Sequence, residues 1–226
     1  MFKKVYRFLL KTMLWFFGIS ILLVVLFKFV PIPFTPLMVI RAIENKIDGN
    51  EMVCSHEWKP IEEISTNLQK AVIASEDARF LTHRGFDFDA IQKAMKNNER
   101  GKKLKGGSTI SQQTAKNVFL WQGRSYFRKG LEAYYTVLIE IIWGKERIME
   151  AYLNSIEMGD GVYGAQAATQ YWYRKDCSSL TKTEAAGIAA ILPNPRKFKA
   201  SNSSAFINAR KARIVKRMGQ VEELKY

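Results

Sequence analysis

Residues 12–27 read TMLWFFGISILLVVLF, sixteen positions without a charge. With the apolar flanks from 8 to 30, and with Lys11 and Lys28 extending their ammonium groups outward, the run approaches the roughly 20 residues a helix needs to cross a bilayer. A cleaved secretion signal is the rival reading, but the FKFVPIPF that closes the run offers no pair of small residues for a peptidase. An uncleaved membrane anchor is therefore expected. Lys3, Lys4, Arg7 and Lys11 crowd its N-terminal flank, and no acid precedes Glu44. The positive-inside rule keeps that end in the cytoplasm and sends the rest of the chain outside. The expected organisation is a cytoplasmic N-terminus over 1–11, a single transmembrane helix over 12–30, a juxtamembrane connection over 31–59 and a folded domain over 60–226.

Charge narrows the partner. The chain carries 35 Lys and Arg against 21 Asp and Glu, a net +14 that suits nucleic acid, an anionic membrane or a phosphorylated substrate. Five of those basic residues lie in the first 30 positions and serve topology, which leaves +9 for the remainder. Nucleic acid fits only a domain on the cytoplasmic side, where the N-terminal lysines do not put it. With 47% apolar residues the chain is not disordered, and two cysteines cannot build a disulfide framework, although Cys54 and Cys177 could pair in an oxidising compartment. His56 and His83 stand far apart and far from both cysteines, so no zinc site is expected, and any metal would take oxygen ligands.

Beyond the anchor, Pro31, Pro33 and Pro36 make a stiff exit, followed by a short amphipathic helix over 37–47 near the headgroups. Helices are then expected over 64–80, 89–98, 109–119, 127–142, 146–154, 164–173, 183–190 and 208–218, with little sheet because few stretches alternate with period two. The fold class is mainly α.

Four segments carry candidate chemistry. Glu76-Asp77, followed by Phe80, His83 and Gly85, places two carboxylates near the end of an alanine-rich helix; such a pair is most often a solvated face. Gly107-Ser108-Thr109 opens a helix bearing Gln112, Gln113, Lys116 and Asn117 after a basic, glycine-rich loop, where amides and hydroxyls can meet an anion. Gly101, Gly106 and Ser108 fit a phosphate-binding GxxxxGK[ST] spacing, but Gly107 occupies the lysine position and no buried strand precedes it, so an ATPase is rejected. Arg124, Arg128, Lys129 and Glu132 read as helical ion pairs, with Glu132, Thr136 and Glu140 on one face and Leu131, Tyr135, Leu138 and Ile142 on the buried one. Glu150 to Asn154, then Gly159, Gly161 and Gly164, read as helix, glycine turn and new helix.

Taken together, the order and spacing of these segments resemble the peptidoglycan glycosyltransferase family, lysozyme-like enzymes that polymerise lipid II. Glu76-Asp77 to Gly85 looks like its first motif, Gly107 to Asn117 its second, Arg128-Lys129 with Glu132 its third, Glu150 to Asn154 with the three glycines and Ala167-Ala168 its fourth, and Glu184-Ala185-Ala186 to Leu192-Pro193 its fifth. The resemblance covers about residues 60–200. No transpeptidase domain follows within the 226 residues, so the chain is most similar to the monofunctional members. Ser111, Thr114 and the Trp172-Tyr173 pair depart from the residues common in the family without removing a chemical group the reaction needs.

The resemblance implies an inverting transfer in which the 4-hydroxyl of an acceptor sugar attacks C1 of the donor and expels undecaprenyl pyrophosphate. Glu76 would be the general base and Glu132 the second carboxylate that orients cations and substrate. Lys116, Arg124 and Arg128 would neutralise the leaving diphosphate, with Ser108, Gln112, Gln113 and Asn117 holding sugar or phosphate oxygens. Asp77, Phe80, His83, Gly85, Gly107, Thr109, Lys129 and Asn154 would support the site. No cofactor is required, and a Mg or Mn ion can accompany the pyrophosphate. The implied partners are lipid II, the growing glycan strand, the inner (plasma) membrane and other cell-wall synthesis proteins, with no nucleic acid. Phe34, Leu37 and Ile40 are expected to accept the polyprenyl tail, and the stretch over about 93–126 to be mobile and to order over substrate. A lytic transglycosylase or muramidase of the same lysozyme-like type is the alternative; it needs a protonated acid and has no use for a basic pyrophosphate loop.

Overall fold

The computed structural model describes residues 2–49, 53–99, 107–123, 125–224 and 226. Helix α1 (Phe2–Phe29) runs unbroken for 28 residues, about 42 Å at 1.5 Å per residue, enough to cross a bilayer and project beyond it. It begins ahead of the span expected from the uncharged run, so Lys3, Lys4, Arg7 and Lys11 ride on its first turns. One stripe faces the rest of the protein. Phe16 and Phe17 lie against the Tyr134 ring, Ser20 shares a 2.6 Å hydrogen bond with the Tyr134 hydroxyl, and Val24 is buried. Apart from Phe27, which packs beside Phe119, the other large apolar side chains of α1 are exposed, an arrangement suited to lipid and not to water. Near its C-terminal end Arg147 donates to the Phe27 carbonyl, which Pro31 leaves without a helical partner, at 2.8 and 3.0 Å and also to that of Val30, while Trp143 Nε1 donates to the Val24 carbonyl at 2.7 Å. The anchor is thus fastened to the domain by its own backbone.

Helix α2 (Pro36–Ile47) starts with Pro36 at its first position and Thr35 as cap, a placement in which the missing proline donor costs nothing. Leu37 and Met38 turn inward against Tyr163, so Leu37 does not belong to the surface expected to receive a lipid tail. The exposed apolar positions there are Phe34, Val39, Ile43 and Ile47, the last three spaced four apart on one stripe. Residues 55–56 then form strand β1, which pairs in parallel with β3 (Val162–Tyr163); β2 (Glu157–Gly159) pairs with β3 antiparallel. The second half of the 31–59 connection is in this way built into the domain. Cys177 is buried and donates to the Glu63 carbonyl at 3.4 Å, Cys54 is exposed, and both are free thiols.

Two groups of helices make up the remainder. In the first, α3 (Thr66–Glu76), α9 (Lys182–Ile191) and α10 (Ala205–Met218) pack mutually. Seven consecutive residues of α9, from Ala185 to Ile191, are buried, and five of them are alanine or glycine, which lets neighbours press from several sides. Gly187 marks the closest approach: a Cβ there would lie 2.3 Å from the Tyr173 hydroxyl, which bonds the Ala200 carbonyl. The second group is α5 (Ile110–Phe119), α6 (Tyr126–Ile142) and α7 (Gly144–Ser155), with α5 packed against both others. Ile110, Ala115 and Val118 of α5 are buried, so the mobility expected over 93–126 does not extend to this helix, which is a core element. Helices α4 (Phe88–Glu99) and α8 (Ala165–Tyr173) complete the set.

Gly164 joins β3 to α8 at φ +82° and ψ 165°, a region open essentially to glycine alone, and a Cβ there would sit 2.8 Å from the Asn154 carbonyl oxygen. Gly164→Ala is expected to destabilise the protein by about 3 kcal/mol, strain and backbone clash together. Urea unfolding of the detergent-solubilised chain measures it, and a change under about 0.5 kcal/mol would show that the turn relaxes freely.

Candidate active site

Helix α3 ends at Glu76 instead of continuing to residue 80, and Asp77 is the reason. Asp77 leaves helical geometry at φ −156° and ψ 78°, and its buried carboxylate accepts from His83 Nε2 at 2.9 and 3.0 Å and from the Ile110 amide at 3.0 Å. That amide opens α5, where the helix dipole favours a negative charge. Asp77 therefore ties the end of the first helix group to the start of the second. Thr109 caps α5 in a box with Gln112, and its hydroxyl donates to the Gly85 carbonyl at 2.7 Å. Gly85, at φ +84°, leaves room for Thr136 and Glu140, whose nearest carbons would lie 2.9 and 3.1 Å from a Cβ.

Chain reversal at Asp77 leaves Glu76 at the rim of the gap between the two groups, with its side chain 15% exposed. Both carboxylate oxygens are held. Oε1 accepts from Ser75 Oγ at 3.1 Å and Oε2 accepts from Gln113 Nε2 at 3.2 Å. The Gln113 carbonyl accepts in turn from the Tyr152 hydroxyl at 3.3 Å. Burial, reinforced by the Glu76 and Asp77 carboxylates, pushes the Tyr152 phenol well up, so it remains a donor and fixes which way the Gln113 amide points. Gln113 thereby presents its NH2 group, never its oxygen, to Glu76.

Lys116 stands three residues beyond Gln113, on the same side of α5 and about 4.5 Å further along its axis. Burial pulls its ammonium below the usual lysine range; Glu132 opposes that, and Arg128 and Lys129 add to it. Glu132 is 3% exposed and accepts from Arg128 at 3.0 Å and from Lys129, while Arg128 Nε donates to the Gly123 carbonyl at 2.8 Å. One buried carboxylate thus pairs with two cations and lies in the field of a third. The cations outnumber it, which leaves a positive site one turn along α5 from Gln113, ready for a further anion.

A family model described as Transglycosylase matches residues 44–219. The chain belongs to the transglycosylase family. It is 49% identical over 221 residues to a protein of Pseudomonas syringae pv. syringae called Biosynthetic peptidoglycan transglycosylase, covering 98% of this chain and 94% of that one. Proteins of the same name from Caulobacter vibrioides and Bacteroides thetaiotaomicron are 54% and 49% identical over 88% and 97% of this chain, and over 84% and 88% of their own lengths. The mainly helical domain is a transglycosylase domain of the lysozyme-like type, and it carries one N-terminal helix apolar and long enough for single-pass anchoring.

Within the transglycosylase domain the candidate residues fall into three places. Glu76 and Gln113 meet directly, and Lys116, Arg128, Lys129 and Glu132 form the charged cluster beside them. Asp77, His83, Gly85, Thr109 and Gln112 form the joint behind the site; the Gln112 carbonyl accepts from the Thr109 amide at 3.0 Å, which commits that oxygen to capping. Phe80 is fully buried beneath Lys145, whose ammonium lies 4.7 Å from its ring centre. Asn154 lies apart: its side chain bonds the Lys59 amide and carbonyl and the Glu150 carbonyl at 2.8–2.9 Å, pinning residue 59 to α7. Ser108 is exposed at the mouth of α5, Gly107 half-buried beside it and Asn117 buried further along; Arg124 and the basic residues 100–105 lie outside the described residues.

The polar face of α6 is reversed from expectation. Glu132 and Thr136 are buried with Tyr135 and Ile139, whereas Leu131, Leu138 and Ile142 are only partly covered. Glu140 is likewise engaged, by Ser111 and by Lys145 at 2.7 Å. Arg128 and Lys129 of the same helix hold Glu132, Ser111 of α5 and Lys145 of α7 hold Glu140, and Tyr134 of α6 faces α1. Sequence reasoning also gave no role to Tyr152, which sat inside a quoted motif, or to Ser75, the neighbour of Glu76.

Proposed function

We propose that the chain polymerises lipid II into peptidoglycan glycan strands with release of undecaprenyl pyrophosphate, acting as a single-pass protein of the inner membrane with its domain on the extracytoplasmic side. The observation that carries this reading is the juxtaposition on α5: a doubly held carboxylate at Gln113 and, one turn on, a cluster with surplus positive charge at Lys116. A sugar hydroxyl can meet Glu76 while the diphosphate on the opposite side of C1 meets the cations, which is the geometry of inversion by direct displacement. Glu76 accepts the hydroxyl proton as C1–O forms, and the C1–O bond to the diphosphate breaks with its electron pair. The charge that grows on the leaving oxygens is met by Lys116 and by Arg128, which Glu132 already orients, with Arg124 as a third cation; little reorganisation is then needed in the transition state. A leaving diphosphate is a weak base, so no strong general acid is required.

The lipid substrate supports the placement of the apolar surfaces. The α1 stripe fastened at Trp143 and Arg147, and the exposed row Phe34, Val39, Ile43 and Ile47, hold the domain at the bilayer where a polyprenyl tail is anchored. Among the described residues no three His, Cys, Asp or Glu side chains converge on one point. The match over most of each relative's length favours a monofunctional enzyme. Other cell-wall synthesis proteins remain candidate partners. Incubation of the full chain with labelled lipid II tests the reading: lysozyme-sensitive polymer is expected, and unchanged lipid II would refute it.

A further inference from the structure

The C-terminal helix α10 reaches the candidate base. Arg210 projects from it toward the end of α3, its guanidinium donating from one terminal nitrogen to Ser75 Oγ at 3.2 Å and standing 3.6 Å from Glu76 Oε1. Its Nε is buried and has no partner, which is costly for a charged donor unless the rest of the group is well used. Ser75 completes the link by donating to the same Oε1 at 3.1 Å. The packing of α10 on both α3 and α9 delivers the guanidinium from 135 residues away in sequence, and the small residues of α9 allow that approach.

We infer that Arg210 is a positioning residue that holds the Glu76 carboxylate, through Ser75 and by its own charge, in the orientation from which Oε2 and Oε1 can serve as base. Gln113 and Tyr152 restrain the carboxylate from the α5 and α7 side; Arg210 restrains it from the opposite one. Without it Oε1 keeps a single hydroxyl partner, itself free to turn to the Ala189 carbonyl 3.4 Å away, and the carboxylate can rotate about its terminal torsion. Small misplacements of a reacting group cost rate steeply, about 100-fold for 1 Å. The inference rests on Glu76 being the base.

The test compares full-length Arg210→Ala, Arg210→Lys and Glu76→Gln in lipid II polymerisation, with thermal melting of each. Arg210→Ala is expected to lower kcat about 10–100-fold with KM within about twofold of wild type, because the group does not touch substrate. Arg210→Lys, which restores charge but not the fork, should recover a substantial part of that loss with KM unchanged. A kcat within about threefold of wild type in Arg210→Ala overturns the inference, as does a rise in KM that accounts for the loss. Equal losses in the Ala and Lys variants with matching drops in melting temperature also overturn it, since they indicate support of the fold. If Arg210→Ala fails to fold, Arg210→Met, which keeps bulk without the charge, is measured in its place and decides by the same criteria. Wild-type activity in Glu76→Gln removes the underlying reading of the base instead.

Discussion

Glu76→Gln is expected to lower the rate of lipid II polymerisation by about 10²–10⁴-fold while the protein melts as wild type does. The substitution keeps size and shape. The new side chain can present its carbonyl oxygen to Gln113 Nε2, which donates to Glu76 Oε2 at 3.2 Å, so the bridge between the two helix groups survives. What disappears is the capacity to accept a proton from the attacking hydroxyl. Initial rates with labelled lipid II, beside circular dichroism melting, separate the two effects. Equal rates in wild type and variant would remove Glu76 from the base role, and a parallel loss of rate and stability would make the carboxylate a structural group.

Lys116→Ala carries the second large effect, a loss of about 10²–10³-fold in turnover, the scale found when one preorganised donor to a developing oxyanion is deleted. Stability should change little, because Glu132 retains Arg128 and Lys129 as partners. The sign of the electrostatics is also testable. Burial already lowers the Lys116 pKa, so its charge is lost at lower pH than that of a solvated lysine, and the reaction should fall on the alkaline side as it deprotonates. Lys116→Arg should hold its charge throughout and extend activity to higher pH, at whatever basal rate its different shape permits. Wild-type turnover in Lys116→Ala, or an alkaline limb that Lys116→Arg leaves in place, would detach this residue from the leaving group.

Several of these features were legible before any coordinates. The uncharged run over 12–27 announced α1 because a bilayer sets a length that no ordinary surface requires, and helical periodicity located most of the helices behind it. The spacing from Gln113 to Lys116 already placed an amide and a cation on one face of one helix. Other features depend on partners distant in sequence. The stop at Glu76 arises because Asp77 is claimed by His83 and by the first amide of α5, neither of which local propensity can weigh. Hydropathy sends Glu132 to water, yet it is buried because Arg128, Lys129 and the field of Lys116 make burial tolerable. Gln112 read as a ligand-binding amide, and its buried carbonyl oxygen closes a capping box, which sequence spacing alone cannot distinguish from an exposed role. Arg210 was one of several cations on an amphipathic helix past the end of the recognisable motifs, and only the packing of α10 on α3 singles it out.

On the proposed function, this transglycosylase builds glycan strands from a lipid-linked donor. The most direct test offers the full chain, in bilayer vesicles, lipid II in one reaction and finished peptidoglycan in another, and measures undecaprenyl pyrophosphate together with polymer and soluble fragments. Glycan synthesis gives one diphosphate released for each disaccharide joined, a polymer that lysozyme degrades, and no fragments from finished peptidoglycan. Soluble fragments from finished peptidoglycan, with lipid II left intact, would contradict it and assign the chain to cleavage instead of synthesis.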